Sequence, residues 1–142
     1  MIILIDTNVI LDVVQKRQPF FSNSYQALRK AIEANAVCLI SASAVTDIFY
    51  ILRKALQSAQ KARERIEQLS QIVTFADVQG SDIHTALMRP MPDFEDAVAD
   101  AVAKRNNADY ILTRNSKDFT GSVVPAITPA DFLKKTVPHV KA

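Results

Sequence analysis

Short apolar runs alternate with amphipathic helical repeats along the whole sequence, and no other feature restricts the fold as much. The runs are rich in Ile, Leu and Val, which is typical of strands covered on both faces. The predicted strands are residues 2–5, 37–40, a segment within 72–78, 110–113 and 123–127. The predicted helices are residues 9–15, 21–34, a segment from 43 onward, 59–70, 81–88, 93–106 and 129–133. This alternation predicts a three-layer α/β/α fold around a parallel sheet.

The composition is that of one compact domain. The chain has 142 residues, of which 49% are hydrophobic, so it can bury a sizeable core. No linker or internal repeat interrupts the pattern, and we expect a single domain over residues 1–142 that ends in a frayed basic tail from residue 134. No stretch is long enough to cross a membrane and the apolar N-terminus lacks a basic leader, so we expect a cytoplasmic protein.

The scarcity of three residue types excludes several kinds of active site. Two Gly are too few for the glycine-rich loops that cradle phosphates. A single Cys excludes an internal disulfide and a cysteine-rich zinc site. The two His are far apart in sequence and do not resemble a zinc site or a catalytic triad. Acidic side chains near the ends of strands are left as the candidates.

The first apolar run ends abruptly at Asp6. Ligands of open parallel sheets bind beyond the carboxyl ends of the strands, which places Asp6 where chemistry is usually done. The alternative is that Asp6 only caps the N-terminus of the next helix, which is a common role for Asp. This segment by itself does not decide between the two roles.

Three carboxylates share one stripe of the helix predicted over residues 93–106. Asp93, Asp96 and Asp100 are spaced i, i+3 and i+7, and we expect the stripe to lie opposite the apolar face. Helix capping and the helix dipole account for Asp93 and Asp96 but not for Asp100, which lies one turn further along. A divalent cation near the stripe would relieve the repulsion between the three charges.

Other polar residues follow other predicted strands. Asp47 comes early in the helix after the second strand, and Asn115 and Asp118 follow the fourth strand. In a parallel sheet with right-handed connections, these residues gather with Asp6 and Asp96 at one edge. Several carboxylates in one cleft require protons or a cation. Their hard oxygen atoms suit Mg²⁺ or Mn²⁺, which indicates a metal site for phosphodiester cleavage.

These residues also carry a resemblance to a known family. The chain resembles a PIN-domain ribonuclease, and in particular the VapC-type toxins of toxin–antitoxin pairs. The matching blocks occur in the order of the family and span nearly the whole chain. They are Ile-Asp6-Thr-Asn8-Val-Ile-Leu-Asp12, Asp93-Phe-Glu-Asp96-Ala, Ile111-Leu-Thr-Arg-Asn115-Ser-Lys-Asp118-Phe, and Val124-Pro followed by Thr128-Pro129.

The resemblance implies a five-stranded parallel sheet in the order 3-2-1-4-5 and a quartet of acidic residues that binds Mg²⁺ or Mn²⁺. It carries the first acid onto Asp6 and the third onto Asp96. The second acid is usually Glu and falls here on Asp47, whose side chain is one methylene shorter. The fourth falls on Asn115, an amide in place of the commoner carboxylate, with Asp118 as a substitute further along the chain.

The resulting hypothesis is a metal-dependent endoribonuclease. Asp6 and Asp96 would hold the principal metal, Asp47 would complete the site, and Asn115 or Asp118 would orient a second metal or the attacking water. Three polar residues are expected to support these carboxylates or to position a phosphate oxygen: Thr7, Asn8 and Thr113. Three basic residues are the candidate RNA contacts: Arg53, Lys54 and Arg114.

Two alternatives come from other functional classes. A signalling receiver domain also carries acidic residues and a Thr at the strand ends of a five-stranded sheet. It requires an acidic pair after its first strand and a Lys after its fifth, whereas this chain has one acid and a Thr-Pro pair at those places. A PIN-like module that binds RNA or a partner without cleavage is the other alternative, because Asp47 and Asn115 depart from the family pattern.

The helical hairpin predicted over residues 43–70 indicates association with other proteins. Tyr50 and Ile51 lie outside its main apolar stripe, and a small domain rarely leaves such a patch in water. The resemblance implies a homodimer and an antitoxin that places a basic side chain among Asp6, Asp47 and Asp96, in competition with metal. The alternative is that Tyr50 and Ile51 pack within the monomer.

Overall fold

The computed structural model describes residues 1–136 and contains strands and helices close to the predicted positions. The strands are β1 Ile2–Ile5, β2 Val37–Ser41, β3 Thr74–Ala76, β4 Tyr110–Leu112 and β5 Ala126–Ile127. The helices are α1 Thr7–Val14, α2 Phe21–Glu33, α3 Ala42–Leu56, α4 Ala59–Ser70, α5 Gly80–Leu87, α6 Phe94–Arg105 and α7 Pro129–Leu133. A 3-10 turn, Ser116–Phe119, lies between β4 and β5.

The sheet has five strands in the order β3-β2-β1-β4-β5. All neighbouring pairs are parallel, and Ile3 of β1 lies between Cys38 of β2 and Tyr110 of β4. The predicted strand order is therefore confirmed. A receiver domain follows the doubly wound order 2-1-3-4-5, so the observed order excludes that alternative.

Successive side chains of the central strand enter two different cores. Ile3 and Ile5 pack in a cluster with buried residues of α1, α2, α3, α4 and α7. Leu4 packs on the opposite face with buried residues of α5 and α6. Because strand side chains alternate between faces, the apolar run of β1 is buried on both sides. This arrangement confirms the predicted three-layer architecture.

The fifth strand is shorter than the predicted segment of residues 123–127. The backbone N–H groups of Val123 and Val124 donate to the carboxylate of Asp100 at 2.9–3.1 Å instead of to a strand. Pro125 has no N–H group to donate. The pairing with β4 is therefore confined to Ala126 and Ile127.

The predicted position of Asp100 opposite the apolar face of α6 is wrong. Asp100 is completely buried, and Arg89 Nε donates to its Oδ2 at 2.9 Å. The charge is thus neutralised inside the protein, which a helical wheel cannot show because the partners come from other segments. Asp93 behaves as the capping interpretation predicted, since its Oδ1 accepts a hydrogen bond from the Asp96 N–H at 3.0 Å.

The C-terminal end of α7 is hydrogen-bonded to α2. Lys30 Nζ donates to the carbonyl oxygens of Phe132 at 3.2 Å and Leu133 at 3.1 Å, and also to that of Lys135. The frayed tail was predicted from residue 134, and its part from residue 137 onward lies outside the described residues. Within residues 1–136, no helix is long and apolar enough to span a membrane.

Candidate active site

A pocket opens beyond the carboxyl end of β1, where the sequence predicted the site. Three of the predicted acids line it together, Asp6 after β1, Asp47 on α3 and Asp96 on α6. The rest of the pocket wall is largely apolar, and it includes Tyr50 and Ile51 of α3. Ile83, Phe94 and Glu95 are also among the lining residues. The sheet topology thus brings together carboxylates that are far apart in sequence.

Asp6 both caps α1 and faces the pocket, so its two alternative roles are compatible. Its Oδ1 accepts a hydrogen bond from the Thr7 N–H at 2.8 Å. Its Oδ2 accepts one from Thr113 Oγ1 at 2.7 Å and one from Asn8 Nδ2 at 3.2 Å. The three predicted supporting residues therefore contact Asp6 directly and fix the direction of its carboxylate.

The electrostatic environment disfavours negative charge at this place. Burial raises the pKa of Asp6, although hydrogen bonds from Thr113 and Thr7 act in the opposite direction. Burial and the neighbouring charge of Asp6 raise the pKa of Asp96 to about 7, with smaller contributions from Asp93, Asp118 and Glu95. No salt bridge among residues 1–136 includes Asp6 or Asp96. Such a cluster attracts a cation or a proton.

The donor atoms at the pocket fit a hard divalent cation. Asp6 and Asp96 supply carboxylate oxygens, which Mg²⁺ and Mn²⁺ prefer, and these ions commonly keep several waters beside one or two carboxylates. Asp47 lies exposed on the same pocket. In the part of the chain that the structure describes, no three Asp, Glu, His or Cys side chains form a ready-made ligand cluster.

The two candidates for the fourth acidic position differ in their surroundings. Asp118 is exposed, and its charge makes a small contribution to the raised pKa of Asp96. Asn115 lines a second pocket, together with residues of the segment before α2 and of α7. Its backbone N–H donates to Thr113 Oγ1 at 3.1 Å, which connects Asn115 to the support of Asp6.

The three basic residues predicted as RNA contacts also differ. Arg53 and Lys54 are exposed in the last turn of α3. Arg114 is half-buried and engaged with the protein, because its Nε donates to Asp12 Oδ2 at 2.7 Å and its guanidinium lies over the Phe20 ring at 3.8 Å. Asp12 belongs to the first block of the family resemblance, but no role was predicted for it. Its spacing of i, i+4 from Asn8 indicates that both residues lie on one side of α1.

Comparison with known proteins agrees with this geometry. The sequence pattern of the PIN domain family matches residues 2–117. The chain belongs to the PIN domain family. Another protein, ribonuclease VapC1 of Aquifex aeolicus (strain VF5), is 24% identical to this PIN-domain chain in an alignment of 138 positions that covers 94% of each protein.

Solved structures share the fold of this PIN domain. VapBC2 from Rickettsia felis, crystallised on a DNA fragment from its promoter, matches with a TM-score of 0.73 and 15% identity over 90% of this chain and 98% of that chain. A toxin–antitoxin complex from Klebsiella pneumoniae matches with a TM-score of 0.67 and 21% identity over 89% of this chain and 96% of that chain.

Proposed function

We propose that the chain is a Mg²⁺- or Mn²⁺-dependent endoribonuclease and the toxin of a toxin–antitoxin pair. One observation carries the proposal most directly. Asp6 and Asp96 lie on one pocket without a salt-bridge partner among the described residues, and the pKa of Asp96 is raised to about 7. The PIN domain family, and a relative that is a ribonuclease, support RNA as the substrate.

Asp6 and Asp96 would hold the metal ion, with Asp47 at the edge of the site. When bound, such an ion supplies a Lewis acid that activates water and neutralises charge on the scissile phosphate. The protein contributes the fixed direction of the Asp6 carboxylate, since Thr113 and Asn8 donate to its Oδ2 while the Thr7 N–H holds Oδ1. The Asp6 carboxylate is thus oriented in advance.

Asp118 is the better candidate for the fourth acidic position. The family pattern placed that position on Asn115, which carries no charge. The charge of Asp118 reaches Asp96, whereas Asn115 lines the second pocket. We assign Asp118 to the metal side of the site and Asn115 to support of Thr113.

Substrate contacts are proposed for two exposed cations of α3. Arg53 and Lys54 end the helix that carries Asp47, and their exposure leaves them accessible to phosphates. Lys and Arg contacts of this kind supply affinity for the RNA backbone without reading its sequence. Arg114 is less suited to this role, because its side chain is engaged with Asp12 and Phe20.

The proposed protein partners are a second copy of the chain and an antitoxin. Tyr50 and Ile51 are 63% and 38% exposed, so the structure does not place them in the core of the monomer. The Klebsiella pneumoniae neighbour is a toxin–antitoxin complex, which supports an antitoxin for this chain as well. A basic side chain of the proposed antitoxin would enter among Asp6, Asp47 and Asp96 and compete with metal.

Cleavage of a structured RNA by the purified protein tests the catalytic part of the proposal. We expect cleavage with Mg²⁺ or Mn²⁺, loss of cleavage with EDTA, and loss of cleavage in Asp6→Asn and Asp96→Asn variants that retain the wild-type circular dichroism spectrum. Full activity in both variants would contradict the site. RNA binding by the wild type without cleavage under any divalent cation would favour the binding-module alternative.

Sedimentation tests the predicted association. We expect a homodimer at tens of micromolar protein, and Tyr50→Ser with Ile51→Ser is expected to shift it toward monomer. A wild-type monomer at that concentration would contradict the dimer and would leave the nuclease proposal intact.

A further inference from the structure

The segment after β4 is attached to α1 at two points that lie one helical turn apart. Asn8 and Asp12 are separated by four residues, so they share one side of α1. Asn8 Oδ1 accepts a hydrogen bond from the backbone N–H of Arg114 at 3.3 Å. Asp12 Oδ2 accepts one from Arg114 Nε at 2.7 Å. The backbone and the side chain of the same residue are therefore tied to the helix that Asp6 caps.

The deeper of these two attachments is a buried ion pair. Asp12 is completely buried, and Ser24 Oγ donates to its Oδ2 at 2.9 Å. Its Oδ1 has no hydrogen-bond partner within residues 1–136. A buried carboxylate is unfavourable without a cation, so the neutralisation of Asp12 depends on Arg114. The guanidinium is also stacked on Phe20, which leaves it little freedom to move.

The attachment continues to the candidate active site through one residue. Arg114 directly follows Thr113, whose Oγ1 donates to Asp6 Oδ2 at 2.7 Å. The same Oγ1 accepts a hydrogen bond from the Asn115 N–H at 3.1 Å, which orients the hydroxyl proton toward Asp6. A displacement of the backbone at Arg114 would therefore move the hydroxyl group that holds the Asp6 carboxylate.

We propose that Asp12 and Arg114 are positioning residues for Asp6. Their ion pair anchors the segment after β4 and keeps Thr113 Oγ1 directed at the carboxylate. The inference rests on the proposed function, because it requires Asp6 to act in the reaction. It also assigns Arg114 to the support of the site instead of to RNA. Loss of such an outer partner of a metal-binding group typically costs about ten- to a hundredfold in activity or metal affinity.

The chain contains a matched control pair. Arg89 Nε lies 2.9 Å from Asp100 Oδ2, with 20% and 0% of the two side chains exposed. The corresponding values for Arg114 and Asp12 are 2.7 Å, 23% and 0%. Asp100 anchors the N–H groups of Val123 and Val124, and neither of these residues contacts Asp6. Arg89→Gln therefore removes a comparable ion pair away from the pocket.

Amide hydrogen exchange in the metal-free protein tests the anchor without reference to activity. In Asp12→Asn and in Arg114→Gln we expect faster exchange at the N–H groups of Arg114 and Asn115, with Val123 and Val124 unchanged. Arg89→Gln is expected to give the reverse pattern. Arg114→Lys keeps a cation beside Asp12 and is expected to recover part of the protection. If Asp12→Asn does not fold, the comparison of Arg114→Lys with Arg114→Gln still tests the anchor.

Cleavage kinetics on folded variants test the effect on the reaction. We expect kcat to fall by about tenfold or more in Asp12→Asn and in Arg114→Gln, with little change in KM. The kcat of the double variant is expected to be no lower than that of the less active single variant, because both substitutions break the same interaction. Arg89→Gln is expected to retain the wild-type kcat.

The outcomes separate the positioning role from its rivals. Wild-type kcat in a variant with faster exchange at Arg114 and Asn115 would overturn the role, and so would unchanged exchange. A raised KM with a shallower salt dependence of RNA binding, seen in Arg114→Gln but not in Asp12→Asn, would instead make Arg114 a phosphate contact. Absence of cleavage by the wild type would overturn the proposed function, while the exchange pattern still decides whether the pair anchors this segment.

Discussion

Asp96 and Asp100 lie one turn apart on the same helix, yet their surroundings are opposite. Asp100 is completely buried, and its carboxylate is neutralised by Arg89 and by the N–H groups of Val123 and Val124. Asp96 is only half-buried and has no salt-bridge partner within the described residues. Burial and nearby negative charges raise its pKa to about 7. The helix thus places one carboxylate for folding and the other at the pocket.

The same division holds for the other buried acids. Asp12 is paired with Arg114 and Asp82 with Arg105, each at less than 3 Å. Asp6 receives hydrogen bonds but, among residues 1–136, no salt bridge. Carboxylates that a protein holds together without neutralising them indicate a functional site, because folding alone gives no reason for the repulsion. The pairing of an acid therefore says more about its role than its position on a helical wheel.

The comparison predicts that removal of the two acids of α6 changes the free energy of unfolding by very different amounts. Asp100→Ala leaves Arg89 unpaired in a largely buried place and is expected to lower the free energy of unfolding by about 3–5 kcal/mol. Asp96→Ala is expected to stay within about 1 kcal/mol of the wild type, since relief of repulsion offsets the lost helix-dipole interaction. Urea unfolding of the metal-free proteins measures both. A larger loss in Asp96→Ala would break the comparison.

The two candidates for the fourth acidic position, Asp118 and Asn115, are compared by the effect of their removal on kcat. Asp118→Asn removes a charge that acts on Asp96 and is expected to lower kcat by about tenfold or more. Asn115→Ala leaves its backbone hydrogen bond to Thr113 in place and is expected to cost much less. Single-turnover cleavage of one RNA by both variants gives the ranking. The opposite ranking would place the metal-side contact at Asn115.

Stability as a function of pH tests the unneutralised charge of Asp96. Its pKa in the folded chain, about 7, lies above the ordinary value of 3.8 for an Asp side chain. The folded chain keeps this proton where the unfolded chain has lost it, so stability decreases as pH rises from about 4 to about 7. We expect a decrease of about 1 kcal/mol, since solvent screens a partly exposed carboxylate. Asp96→Asn should remove most of it, and an identical profile in this variant would contradict the assignment.

The smallest expected effect concerns cations that are not tied to a carboxylate. Arg53 and Lys54 take part in no ion pair among the described residues, unlike Arg89 and Arg114. Each change to Gln is expected to weaken RNA binding modestly and to lower the slope of log affinity against log salt by about one. Fluorescence anisotropy in EDTA measures binding without cleavage. Arg89→Gln serves as the control, and an equal change in that variant would contradict the contact.

The sequence predicted the fold well because the central strands are buried on both faces. The apolar runs at β1, β2 and β4 have no other suitable place in a chain of this length. The edge strand β5 was predicted too long, since the competition of Asp100 for the N–H groups of Val123 and Val124 arises from the tertiary structure. The extent of an edge strand depends on partners that local patterns do not contain.

The candidate site was predictable only as far as the topology determines it. Asp6, Asp47 and Asp96 line one pocket because each follows a strand or starts a helix at the same edge of the sheet. The neutralisation of Asp12 was not predictable, since Arg114 is 102 residues away. Asn115 precedes the 3-10 turn and Asp118 lies within it, so their different surroundings depend on a local turn that the sequence pattern did not predict.

Titration of the Asp96 carboxyl carbon by ¹³C NMR tests the central claim most directly. We expect a pKa of about 7 in the metal-free protein, and we expect it to fall when Mg²⁺ is added because a bound cation favours the charged carboxylate. In the metal-free protein, Asp6→Asn should lower the pKa of Asp96, since it removes the neighbouring charge that raises this pKa most. An ordinary carboxyl pKa that does not respond to Mg²⁺ would contradict the account.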